Sequence, residues 1–419
     1  MPSAPAQPSF QFPARWVDTP EQLESVIEAL LGEPQYAIDT EFHREKTFFP
    51  HLALVQIGWP GDLVLIDPLA LDLRPMERLF NSDVLAVFHA AEQDLEVLQH
   101  VVGCTPRNIW DTQVAAGFVG FSTPSLSSLV ERILHVSLSK GDRLTDWTQR
   151  PLTTAQKTYA ALDVEYLLEL RRLLLEQLIR AGREVWVDEE IAILRNRQRN
   201  SVAEHAWWKL KDGRVLRGRD RIVAQQLCMW REKRAKSEDK PVRFVLPDLA
   251  VLAVAQSKPT DVDQLGSMRG IDGRFLRGGV GKELLAVVAE ALALPGSALQ
   301  QPEAEDFDRK LRPALTLASA WISQLARDAK IDSGLLATRN DLVQLLRGDS
   351  DARLSHGWRE PLVGAAVHQL VSGEAAIAFA SSGELTLEQR SGVTLSIDIT
   401  TPDADWVLES PDHRADDNA

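Results

Sequence analysis

Along the first half of the chain the apolar positions alternate between runs suited to strands and spacings suited to helices. Residues 36–42, 52–59, 63–67 and 84–88 are short apolar runs, and Pro60-Gly61-Asp62 places a turn between the second and third. A helical spacing from about 92 to 102 stops before Gly103, a residue suited to the left-handed position that closes a helix. Residues 108–110 predict a fifth strand leading into a helix from Thr112, and another helix follows Pro124. One long helix is expected over 153–180, opened by Thr153 and Gln156 at capping-box spacing. Three meandering strands followed by strand–helix units predict an α/β domain with a mixed sheet.

The second half has helical spacing throughout and carries an internal repeat. Arg234-Ala235-Lys236 parallels Asp328-Ala329-Lys330, and Asp248-Leu249 parallels Asp341-Leu342. Lys282-Glu283-Leu284-Leu285 parallels Arg359-Glu360-Pro361-Leu362 at a smaller offset, so the second copy is expected to lack residues in its middle. A Gly/Ser/Pro/Glu-rich linker over 295–307 separates the copies. Alternation of Leu387, Val393, Leu395, Ile397 and Ile399 predicts one added hairpin over 386–400, and the acidic stretch beyond Pro402 is expected to be disordered.

A length of 419 residues calls for several domains, and 44% hydrophobic with 25% charged residues is the balance of a water-soluble globular chain. Residues 1–15, rich in Pro, Ala and Ser, lack the basic and apolar regions of a signal peptide and are expected to form a flexible tail. The most apolar long stretch, 284–294, contains Glu290 and is too short for a bilayer, so no membrane association is expected. Two cysteines, Cys104 and Cys228, make no disulfide framework and no zinc motif, which fits a cytoplasmic location. The net charge of −14 argues against a general nucleic-acid coat. Its distribution changes that picture: residues 207–243 hold 12 Lys/Arg against 5 Asp/Glu (+7), and residues 381–419 hold 2 Arg against 9 Asp/Glu (−7).

Asp39 and Glu41 are two apart on a strand and therefore project from one face. Two carboxylates together in an apolar strand are costly without a cation, and a hard divalent ion takes oxygen ligands. The competing reading is an edge strand bearing ordinary surface charges. Asp94 falls in the first turns of the helix after strand 84–88, where it equally suits the helix dipole. Tyr159 and Asp163 are four apart and share a helix face, although a half-buried Tyr beside a solvated Asp would look the same. Each pair alone is ambiguous; their joint order is more specific.

In that order, D-x-E, then H-x-x-x-x-D, then Y-x-x-x-D, the chain resembles the tyrosine-bearing subgroup of the DEDD exonucleases, most closely the ribonuclease D family. Leu54-Val55-Gln56-Ile57, Trp110-Asp111-Thr112-Gln113 and Asp146-Trp147-Thr148-Gln149-Arg150-Pro151-Leu152 extend the resemblance over roughly 36–174. It implies a ribonuclease-H-like fold and a 3′–5′ exonuclease that uses two divalent ions, Mg²⁺ or Mn²⁺, held by Asp39, Glu41, Asp94 and Asp163. Tyr159 would orient the attacking water, since a phenol with a pKa near ~10 is a poor base at neutral pH. His89 is expected to support the acids from behind rather than act as the base.

The implied substrate is RNA with a free 3′ end, transfer-RNA precursors among them, cut to nucleoside monophosphates by a monomeric enzyme. A DNA substrate and a catalytically silent RNA adaptor are the alternatives; no P-loop accompanies the exonuclease motifs, and all four acids are present. Residues 213–294 resemble a helicase-and-RNase-D C-terminal (HRDC) domain, and the repeat would be a second, diverged one. The expected architecture is an α/β exonuclease domain at 16–206, all-α HRDC-type domains at 207–295 and 305–380, and an acidic tail at 381–419. Trp207, Trp208, Lys209, Lys211, Arg214, Arg217, Arg274, Arg277 and Lys282 join aromatic and basic groups and are candidates for nucleic-acid contact.

Overall fold

The computed structural model describes residues 13–138, 145–196, 203–276, 279–300, 309–380 and 383–391. The strands are β1 (Arg15–Val17), β2 (Gln35–His43), β3 (His51–Trp59), β4 (Asp62–Ile66), β5 (Leu85–Phe88) and β6 (Ile109–Asp111). They form one mixed sheet in the order β1-β4-β3-β2-β5-β6. The central three strands run antiparallel, while β5 and β6 join β2 in parallel, as the alternation of meander and strand–helix units predicts. β1 runs parallel to β4 and its Arg15 is paired with Asp62. Arg15 therefore belongs to the sheet rather than to the expected tail; residues 1–12 lie outside the described residues.

Between β1 and β2 lies α1 (Pro20–Leu31), which the apolar pattern left unassigned. Its signals were local: Thr19 and Gln22 cap each other's backbone amides, and Pro20 occupies the first turn. Further helices of this domain are α2 (Glu92–Val101), α3 (Thr112–Gly117), α4 (Leu126–Leu134), α5 (Thr154–Glu165), α6 (Leu167–Ala181) and α7 (Glu184–Asn196). The single helix expected over 153–180 is thus two, divided at Tyr166. A straight helix of that length would run roughly 40 Å. The division lets α5 lie over β2, β3 and β4 while α6 turns to pack on α3, α4 and β5.

The first helical unit contains α8 (Arg219–Glu238), α9 (Asp248–Ser257) and α10 (Val280–Ala293), around a core of its own. It extends to Gln300, beyond the expected boundary, because Gln225 bonds both the Ala298 carbonyl and the Gln300 amide. Asp239, just past α8, accepts the backbone N–H groups of Phe48 and Phe49 in the β2–β3 loop, at 3.1 and 3.0 Å.

The second unit repeats the order with α11 (Arg312–Ala329), α12 (Arg339–Arg347) and α13 (Ala365–Ser372), and lacks the middle segment, as its offsets predict. Its core is not separate. Leu315, Trp321, Leu336, Leu342, Leu354 and Trp358 join the exonuclease core in one continuous cluster. β7 (Ala375–Phe379) then pairs with β8 (Leu385–Gln389). This hairpin overlaps the start of the one expected over 386–400, with Leu387 opposite Ile377, and the boundary drawn at 380/381 cuts through it. Residues 392–419, which include the remainder of 386–400, lie outside the described residues. Among the described residues no helix is long and apolar enough to cross a membrane.

Candidate active site

Strand β2 presents Asp39 and Glu41 from one face, and α5, crossing above, brings Asp163 down onto them. The three side chains are half-buried, and one carboxylate oxygen from each lies within 4.8 Å of the others. Two like charges at that separation repel by about 3 kcal/mol at an effective dielectric of ~20. Three ionised acids therefore cannot stay together without a counter-charge, and the cluster resists ionisation. Burial, then the charges of Asp94, Asp163 and Glu41, hold the Asp39 carboxyl well above its usual range, against a backbone hydrogen bond that favours its anion. Burial and the charges of Asp163 and Asp94 push Glu41 up to about 8.

Asp94 comes from the first turn of α2 and is buried. It stands outside the close trio. The Thr40 hydroxyl, on the opposite face of β2 from Asp39, donates to its Oδ1. Burial pushes Asp94 up to about 7, although that hydrogen bond favours the anion. All four predicted acids thus act electrostatically on one site, three in ligand-forming proximity and the fourth one hydrogen bond from the strand that carries two of them.

A β-bulge lies beside Glu41: the register steps from Glu41↔Leu54 to Phe42↔Leu52, leaving Ala53 without a partner strand residue. Arg150 takes the Ala53 carbonyl at 2.6 Å and grips Asp67 with two nitrogens, each at 2.6 Å. That fastens the segment Asp146–Leu152, whose motif had no assigned purpose, along the wall of the site. Its other attachment is His43, which accepts the Trp147 backbone N–H at 3.0 Å. The Trp147 ring is buried and its centroid lies 6.0 Å from that of Tyr159. His43 and Arg150 were not among the expected site residues. His43 sits two beyond Glu41 on the same strand, a signal that the sequence did contain.

His89 does not face the acids through its hydrogen bonds: its two ring nitrogens meet Thr112 Oγ1 at 2.8 Å and the Pro124 carbonyl at 3.1 Å. Burial lowers its pKa, more than Asp111 raises it. It braces the turn in which Asp111 receives the Ala90 and Ala91 amides ahead of α2.

The proposed nucleic-acid surface divides. Trp207 is fully buried in the first helical core, and its ring N–H donates to the Gln300 carbonyl, so it is corrected from a base-stacking candidate to a packing residue. Trp208 is half-buried, edge-on to Trp207, while Lys209, Lys211, Arg217 and Lys282 are exposed. The side chains of Arg214 and Arg274, and all of Arg277, lie outside the described residues.

Residues 14–179 match the family model of a 3′–5′ exonuclease, and residues 220–288 match that of the HRDC domain. The chain is 39% identical over 376 residues to ribonuclease D of Jannaschia sp. (strain CCS1), covering 86% of this chain and 96% of that protein. It is 34% identical over 367 residues to ribonuclease D of Escherichia coli (strain K12), with coverage of 85% and 97%. The crystal structure of Escherichia coli RNase D, described as an exoribonuclease involved in structured RNA processing, aligns with a TM-score of 0.77 at 33% identity over 86% of this chain and 99% of that one. The catalytic core of RRP6 from Trypanosoma brucei aligns with a TM-score of 0.54 at 26% identity over 68% and 81%. Converging carboxylates on a mixed sheet of this order, in a chain so similar to these relatives along nearly their whole length, mean that the chain belongs to the ribonuclease D family and is a 3′–5′ exoribonuclease.

Proposed function

We propose that the protein trims the 3′ ends of structured RNAs, transfer-RNA precursors among them, by hydrolysis at a pair of divalent cations, Mg²⁺ or Mn²⁺. The observation that carries this reading is the meeting of Asp39, Glu41 and Asp163 oxygens within 4.8 Å. Oxygen donors, shared burial and mutual repulsion are the properties of a site for a hard cation. When bound, such cations supply activation of the attacking water and stabilisation of the leaving 3′ oxygen.

Asp39, central to the cluster, would contribute to both cation positions, with Glu41, Asp94 and Asp163 completing the donor set. Tyr159, packed near Trp147, would orient the water with its hydroxyl. The exposed Lys209, Lys211, Arg217 and Lys282 would contact RNA phosphates. The repeated helix order supports the second unit as a diverged HRDC domain, with a packing role through its shared core. We further place the enzyme, as a monomer, in the cytoplasm, in keeping with the free thiols of Cys104 and Cys228.

RNA and DNA oligonucleotides with and without structured 5′ portions, incubated with Mg²⁺ or Mn²⁺, test the reading. RNA should shorten stepwise from its 3′ end to monophosphates, and Asp39→Asn should slow this at least ~100-fold. Tyr159→Phe should lose turnover while keeping its metal affinity. Intact RNA under both metals, or faster loss of DNA, would overturn the proposal.

A further inference from the structure

Gln56 stands on β3 opposite Asp39, and the pair shares a rung of the antiparallel ladder between β2 and β3. Residues opposed in this way project from the same face with Cβ atoms roughly 5 Å apart. That face lies under α5. Two residues further along β3, Val164 Cγ2 is 3.5 Å from where a side chain at Gly58 would begin. Gln56 therefore points into the space between Asp39 and the helix that bears Tyr159 and Asp163. It is fully buried, and among the described residues neither its amide nitrogen nor its amide oxygen has a hydrogen-bonding partner.

Such a side chain is hard to explain by packing. Leu54, Val55 and Ile57 beside it are apolar and fully buried, and Leu65 faces it from β4. A leucine would fill nearly the same volume without a polar cost, whereas each buried, unpaired polar group costs about 1–3 kcal/mol. A partner present in the working state would satisfy the amide.

We propose that Gln56 is a positioning residue for the acid cluster, its amide N–H donating to the Asp39 carboxylate when a divalent cation is bound. The proposal rests on the cation reading of the site given above. Without a cation, Asp39 is crowded by like charges. A cation would hold Asp39 as the anion, and its two oxygens together offer about four acceptor sites, enough for cation contact and a neutral donor as well. A hydrogen bond to a charged acceptor is stronger than a neutral one, and it fixes the plane of the carboxylate. Gln56 is the amide donor already buried on the adjacent strand, so no chain movement is required beyond rotation of its own side chain.

The test measures Mn²⁺ affinity by calorimetric titration and the melting temperature of the metal-free full-length protein, for the wild type, Gln56→Leu, Gln56→Met and Asp39→Asn. Partners that orient metal ligands typically change affinity roughly 10–100-fold. Gln56→Leu and the less perturbing Gln56→Met should both weaken Mn²⁺ by that factor, while their metal-free melting temperatures stay level or rise. Unchanged affinity in both variants, with Asp39→Asn losing Mn²⁺, would overturn the role of Gln56 alone. A clear fall in metal-free melting temperature in both variants would make Gln56 a structural residue and also overturn it. Absence of Mn²⁺ binding by the wild type, or full binding by Asp39→Asn, would remove the cation reading and this proposal with it.

Discussion

Asp39, Glu41 and Asp94 show how a candidate active site can be an electrostatic burden on the fold that holds it. Their carboxyls are all held above the usual range, with Glu41 at about 8 and Asp94 at about 7. An acid with a raised folded-state pKa binds more protons in the folded than in the unfolded chain, so its penalty is absent below the unfolded value and grows as pH rises towards the folded one. In chelator, the protein should therefore lose melting temperature between about pH 4.5 and pH 8. Asp39→Asn should flatten that slope, and Mn²⁺ should raise the melting temperature more at pH 8 than at pH 6. Differential scanning calorimetry across this range decides it; a slope identical in wild type and Asp39→Asn would assign the pH dependence elsewhere.

At the scale of elements, interruptions of regular structure position the site more than the regular stretches do. The bulge at Ala53 frees the carbonyl that Arg150 holds, and the break at Tyr166 lets α5 lie over β2 with Asp163 beside Asp39 and Glu41. Hydrophobic periodicity reports which face of an element is buried, not where the element bends. That is why β2 to β6 were legible within a residue or two and the division of the long helix was not. The second helical unit holds a comparable constraint at Gly364, just before α13, where an added Cβ would fall 2.1 Å from the Leu354 carbonyl oxygen. That oxygen is backbone and cannot swing aside. Gly364→Ala should cost about 1–3 kcal/mol, the range for overpacked cores, visible in denaturant unfolding. A loss below ~0.5 kcal/mol would mean that the chain relaxes there without cost.

For the molecule as a whole, the two helical units are joined to the exonuclease domain by different physics. The first has its own core and touches the catalytic domain through polar contacts such as Asp239 on the Phe48 and Phe49 amides. The second shares a core and adds a buried ionic junction. Glu190 of α7 meets Arg359 Nη1 at 2.5 Å and Arg353 Nη2 at 2.7 Å, and Trp358 stacks on Trp186 with centroids 5.0 Å apart. Burial alone would raise Glu190, but the two guanidiniums outweigh it and hold its carboxyl below the usual range. Glu190→Ala leaves Arg359 buried and unpaired, which should destabilise the joint core by roughly 3–5 kcal/mol. Adding Arg359→Leu should recover part of this, and melting of the first helical unit should not shift. Equal losses in both units would show that the molecule melts as one.

The sequence by itself determined the activity class and which groups share a face: the acids at i and i+2 on a strand, Tyr159 and Asp163 at i and i+4 on a helix, the mixed sheet and the helical second half. Each is a local property, since residue type and spacing decide which groups share a face. Tertiary structure alone decided that Asp163 joins Asp39 and Glu41 while Asp94 stands one hydrogen bond away, that Trp207 is core rather than surface, and that the second helical unit merges with the catalytic domain. It also decided that Gln56 lies opposite Asp39. Those outcomes depend on register, crossing of layers and shared burial between segments up to hundreds of residues apart, and no spacing along a single chain encodes them directly.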